Sequence, residues 1–140
     1  NAIAPFVPAA ELPACVDSAT NDELIWVDEA TMIANQDDPL RYQGRMRYAT
    51  GVALVDWLAD TQRRVAEVSF HFLVFHAPDD EILPIEGSKH LFDESSTPVD
   101  WKIFVECPGL RHDVLSNGIE LVASHSVEFM DKCIQRTMRD

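Results

Sequence analysis

The chain has 140 residues, 46% of them hydrophobic and 25% charged, the length and composition of a single soluble globular domain. Its 24 acids against 11 bases give a formal net charge of −13, which repels a phosphate backbone and argues against nucleic acid as a partner. Three scattered cysteines, Cys15, Cys107 and Cys133, include no CxxC pair, so they offer neither a disulfide framework nor a zinc site.

Residues 1–21 place Pro5, Pro8 and Pro13 among apolar side chains, the pattern of an irregular packed segment or a broken helix. From Asn21, "NDELIWVDEATMIANQ" opens with a capping residue and early acids and reads as helical. "DDPLRYQGRMR", residues 37–47, is a turn region broken by Pro39 and Gly44. Val52, Val55, Leu58 and Ala59 then recur on one helical face, predicting a helix that runs to about Glu67.

The second half changes character. "FLVF", residues 72–75, lacks polar alternation, as does a strand buried on both faces of a parallel sheet. Pro84 suits the first turn of a helix through about Ser95, with Ile85, Leu91 and Phe92 facing inward. "WKIFVE", 101–106, is a second strand, and "GIELVASHSVEFMDKCIQ", 118–135, is a long amphipathic helix carrying Ile119, Val122, Met130 and Ile134.

Strand, helix, strand, helix is the alternation of an α/β sheet with parallel crossovers. Only two strands are visible, and two strands cannot form a sheet that buries "FLVF" on both faces. The expectation is therefore an incomplete sheet from a larger fold, prone to aggregate rather than to unfold cooperatively when isolated.

In open α/β sheets, function collects in the loops beyond the carboxyl ends of the strands. The loop after the first strand carries Asp79, Asp80 and Glu81, and the loop after the second carries Arg111, His112 and Asp113. If the strands are neighbours, their ends lie ~5 Å apart, so an acid and His112 could form the hydrogen-bonded pair that fixes an imidazole tautomer. The competing reading is plainer: an Asp between strand and helix is a turn former or helix cap, and His112 is a solvated loop residue.

At these residues the chain resembles a known family. "FLVFHAPDDEILPIEGSKHLFDESS" followed by "WKIFVECPGLRHDVL" is similar to the C-terminal part of the monoacylglycerol lipase-like α/β-hydrolases, also described as serine aminopeptidase S33 or Hydrolase-4 domains. Laid on that family's His-Gly-x-x-Asp motif, the sequence runs from His76 to Asp80, and Gly109 to His112 matches its Gly-x-x-His loop. The resemblance thus implies Asp80 as triad acid and His112 as triad base. Ala77 stands where the motif has Gly. Tyr42, Gly44 and Arg45 match a turn of the family's cap, so the resemblance implies a helical cap over residues 1–68 and a strand-helix-strand-helix core piece over 69–140.

No G-x-S-x-G occurs: none of the glycines at 44, 51, 87, 109 and 118 is four residues from another with Ser between. The family's triad order is Ser, Asp, His, so the expected nucleophile and oxyanion donors precede Asn1, and this chain supplies none. Ser88 falls within a predicted helix without a strained elbow and reads as structural. Cys107, five residues before His112, invites a Cys–His pair, yet a strand-end thiol without an activating group reads as a small buried hydrophobe. His76 reads as ordering the acid loop, and His71, His90 and His125 share no metal-ligand spacing. Trp26, Met32, Met46 and Trp57 are either plain core or the lining of an acyl channel.

The resemblance implies a carboxylic ester hydrolase acting on a lipid ester of the monoacylglycerol or lysophospholipid type. It implies no metal or other cofactor, and peripheral contact with a membrane. No apolar run reaches the ~20 residues that span a bilayer, the N-terminus lacks a signal-peptide pattern, and reduced thiols favour a cytoplasmic setting. The alternative is a non-catalytic hydrolase-like binding module in which Asp80 and His112 are remnants.

Overall fold

The computed structural model describes residues 9–11, 21–42 and 44–138. The helical stretch after Asn21 is two helices, α1 (Asp22–Ile25) and α2 (Glu29–Gln36), where the sequence reads as one continuous run. The break lies at Asp28, whose carboxylate accepts both the amide (2.7 Å) and the hydroxyl (2.7 Å) of Thr31 and so starts a new helix instead of continuing the old one. Asn21 caps α1 in the same way, accepting from the Glu23 amide.

The turn region 37–47 leads into α3 (Tyr48–Arg64), which tightens into a 3₁₀ turn over Val65–Glu67, the limit expected from its periodicity. Its start is tied to residues 9–11 by an antiparallel bridge between Glu11 and Arg47 and by the Tyr48 amide on the Ala10 carbonyl, 2.7 Å. Arg41 in the turn pairs with Asp22 of α1 at 2.6 Å.

Strand β1 (Phe72–His76) and strand β2 (Lys102–Glu106) pair in parallel, with Phe72 opposite Lys102 and His76 opposite Glu106. Between them runs α4 (Ile85–Glu94), with Pro84 as its N-cap one position before the helix proper. After β2 come a short α5 (Val114–Asn117), which the sequence pattern does not show, and the long α6 (Ile119–Thr137).

Side chains alternate across a strand, so the paired sheet has two faces. On one, Phe104 meets Phe92 of α4 edge to face, centroids 5.9 Å apart; on the other, Phe75 meets His125 of α6 at 6.2 Å. Lys102 directs its ammonium to the carbonyls of Phe92 and Ser95, orphaned acceptors at the end of α4. The helices do not cover the sheet. Both strands are half-buried, as expected of a sheet with two strands, and a cleft of about 1200 Å³ opens between Leu73, Ile103 and α6. Val127, Met130 and Ile134 of α6 stay about half exposed. Among the described residues the sheet has two strands and the buried apolar residues are Val65, Ala77 and Cys107, two of them at the carboxyl ends of the strands.

Candidate active site

The acid loop begins where β1 ends. The Asp80 amide donates to the Ala77 carbonyl at 3.0 Å, closing a turn, and the Asp80 side chain then folds forward. Its Oδ1 accepts the amides of Ile82 (2.8 Å) and Leu83 (3.0 Å), the local bonding for which an Asp between strand and helix is suited. The carboxylate is 4% exposed. Burial would raise its pKa, but the Leu83 amide, the His112 ring and the Ile82 amide outweigh burial and hold it below the usual carboxylate value. The turn-former reading and the acid reading therefore describe different oxygens of one residue.

The base loop is placed by backbone bonds. The Cys107 amide donates to the His76 carbonyl at 2.8 Å, extending the parallel ladder one step and bringing the two loops side by side. Gly109 adopts φ +79°, the left-handed region that glycine enters without a Cβ penalty, and the chain turns back toward Asp80. His112 and Asp113 donate their amides to the Leu24 (3.4 Å) and Ile25 (3.3 Å) carbonyls of α1. Asn117 clasps the same segment from α5: its Nδ2 donates to the Ile25 carbonyl and its Oδ1 accepts the Val27 amide, both at 2.8 Å. Nothing in the sequence marks Asn117 for this role.

His112 Nδ1 lies 2.9 Å from Asp80 Oδ2. An ionised carboxylate only accepts, so Nδ1 carries the hydrogen and Nε2 keeps its lone pair. The His112 side chain is about one-third exposed, and it faces a small cavity of about 180 Å³ shared with Phe75, His76, Ala77, Asp80, Leu83 and Val114. The arrangement is a buried, oriented carboxylate behind an accessible imidazole. It can accept a proton from a group brought to Nε2, and it contains no nucleophile of its own.

The other candidates fall elsewhere. Ser88, in α4, bonds His76 rather than His112. Cys107 is fully buried, burial raises its thiol pKa, and its Sγ–H points to the Val105 carbonyl, so it is held as a thiol and not as a nucleophile. Asp79 accepts from the Gly109 amide at 3.4 Å, linking the two loops, while Asp113 caps α5 through Ser116. Glu81 and Arg111 are exposed. His71 stacks on Trp101, His90 is exposed and His125 bonds the Leu121 carbonyl; among the described residues no cluster of His, Cys, Asp or Glu is arranged to hold a metal. Trp26, Met32 and Met46 are half-buried, and Trp57 is 62% exposed, so within the described residues Trp57 lines no enclosed channel.

Residues 3–118 match the profile of the Hydrolase-4 family, described as serine aminopeptidase, S33. The chain belongs to this family. The monoacylglycerol lipase of Mycolicibacterium smegmatis is 28% identical over 115 residues, covering 81% of this chain and 37% of that protein. Among solved structures, the monoacylglycerol lipase of Paleococcus ferrophilus superposes with a TM-score of 0.74 at 19% identity, over 94% of this chain and 48% of the lipase. A soluble variant of Saccharomyces cerevisiae monoglyceride lipase, solved with a substrate analogue, gives 0.72 at 17% identity, over 94% and 46%. These likenesses establish the fold as the α/β-hydrolase fold, here with a partial sheet. The Hydrolase-4 chain spans less than half the length of each of these three relatives. No described helix is long and apolar enough to cross a membrane.

Proposed function

We propose that Asp80 and His112 are the acid and base of a Ser-Asp-His triad in a carboxylic ester hydrolase, with the Ser supplied from outside these 140 residues. The observation that carries this reading is the 2.9 Å bond from His112 Nδ1 to a carboxylate whose other oxygen is already held by two amides. In the reaction, the Ser oxygen attacks the ester carbonyl while its proton passes to His112 Nε2. Asp80 stabilises the resulting imidazolium, which then protonates the departing alcohol. Water repeats the sequence on the acyl-enzyme. Residues 1–68 form the cap and 69–140 the C-terminal piece of the core. The substrate class is a monoacylglycerol or lysophospholipid, since similar proteins are monoacylglycerol lipases, and such a substrate brings peripheral contact with a lipid surface; the setting that reduced thiols favour is cytoplasmic.

A second reading, a non-catalytic hydrolase-like binding module, draws on the absence of G-x-S-x-G from the sequence. A fluorophosphonate probe separates the two. It should label the complete hydrolase that carries these residues, and labelling should fall at least 10³-fold in rate in His112→Ala. Full labelling of that variant, or labelling of the 140-residue chain alone, defeats the proposed triad.

A further inference from the structure

One buried imidazole is not used by the chemistry above. His76, the last residue of β1, is 9% exposed. Its Nε2 lies 2.9 Å from the Leu83 carbonyl, which can only accept, so Nε2 carries the hydrogen; its Nδ1 lies 2.8 Å from Ser88 Oγ and accepts the hydroxyl hydrogen. The ring is therefore satisfied at both nitrogens and fixed in one tautomer. What it grips is Leu83, whose amide is one of the two donors to Asp80 Oδ1. A continuous path thus runs from Ser88 in α4 through the His76 ring to Leu83, through the Leu83 amide to one oxygen of Asp80, and from the other oxygen to His112. The Asp80 Oδ2 atom also lies 3.7 Å from His76 Nε2, beyond hydrogen-bonding distance, so the ring abuts the carboxylate without competing with His112 for it.

We infer that His76 and Ser88 are positioning residues for the acid: they hold the 80–83 turn so that Asp80 presents Oδ2, and not another rotamer, to His112. Neither residue bonds His112. Their contribution is to the orientation of the carboxylate, and small misplacements of a catalytic group cost up to roughly 10²-fold in rate. This inference rests on the triad reading, so His112→Ala is measured beside it.

The test uses the complete hydrolase and a short-chain ester. His76→Leu, which keeps bulk but removes both bonds, should lower kcat roughly 10- to 100-fold with KM changed less than about twofold. His76→Gln, whose amide can still donate to the Leu83 carbonyl, should recover most of that loss. The far-downfield proton resonance of the His112–Asp80 bond should weaken in His76→Leu and return in His76→Gln, a change that loss of stability alone does not produce in a folded sample. If His76→Leu fails to fold, Ser88→Ala decides: it should lower kcat by a few-fold and weaken the same resonance. A folded His76→Leu, or Ser88→Ala in its place, with wild-type kcat and an unchanged resonance overturns the inference while His112→Ala is dead. Full activity in His112→Ala overturns the triad reading and this inference with it.

Discussion

Around the ends of the two strands, Ala77 and Cys107 are fully buried, His76 nearly so, and Asp80 uses three of its acceptor positions on named donors. Across the helices α1, α2 and α3 no residue is buried, and Leu54, Val55, Trp57 and Leu58 of α3 all face solvent. Both regions fold from sequences of ordinary helical or strand propensity, so propensity is not what separates them. The acid loop is held by hydrogen bonds that span two or three residues and need no large core, whereas amphipathic helices gain their order from burying a face, which α1, α2 and α3 do only in part. Local bonding shapes the acid loop, with His76 gripping its Leu83 end; α1, α2 and α3 depend on a few polar ties.

That contrast can be broken or sharpened by mutation. The largest effect belongs to Asp80→Asn in the complete hydrolase, which should cost about 10⁴-fold in kcat, the order of loss when a triad acid is made neutral and the imidazole tautomer is freed. Steady-state ester hydrolysis measures it, and a loss below tenfold would reduce Asp80 to a turn former. Next is the core beside the loops. Phe104→Ala removes the ring packed on Phe92 and should destabilise by about 2–3 kcal/mol, less than a fully buried Phe because the strand is half-covered, while Trp57→Ala should cost under about 0.5 kcal/mol. Denaturant titration of the complete hydrolase reports both, and equal costs would erase the distinction between the regions.

Asn117→Ala should cost about 1–2 kcal/mol, since it leaves the Val27 amide and Ile25 carbonyl without their partner. Hydrogen exchange should quicken at Val27 and leave Ile82 and Leu83 protected. The smallest effect is set by pH. The carboxyl of Asp80 titrates below its unfolded value, so its contribution is fully present above about pH 4 and is lost as pH falls through the lower folded value. Acidification should release the Ile82 and Leu83 amides in that low window, and Asp80→Asn should remove that dependence.

Much of this was legible in the sequence, for reasons that can be named. The strands and α4 follow from apolar runs closed by Pro and charged residues. The choice of Asp80 over Asp79 came from spacing within a resembled motif, and the structure sets Asp80 against His112 and Asp79 against the Gly109 amide. What composition cannot express is pairing at a distance. His76 and Ser88 are twelve residues apart on a strand end and a helix, and their bond depends on how α4 returns over the sheet. The break between α1 and α2 was present as Asp28 three residues before Thr31, but the apolar periodicity around it masks a cap inside a helical run. The half-buried state of β1 was legible too, since two strands leave the faces of an apolar strand uncovered.

The Asn117 clasp has a consequence for the order of assembly. It joins residues 90 and 92 apart in sequence, whereas the bonds that shape the acid loop span two or three. Closing a stretch of ~90 residues costs about 3 kcal/mol more chain entropy than closing one of ~3. The 80–83 turn is thus expected to form before the backbone that carries the imidazole is seated against residues 24–27. In a refolding experiment of the complete hydrolase protection at Leu83 should precede protection at Val27, which makes the His112–Asp80 bond a report that residues 24–27 and 112–117 have met.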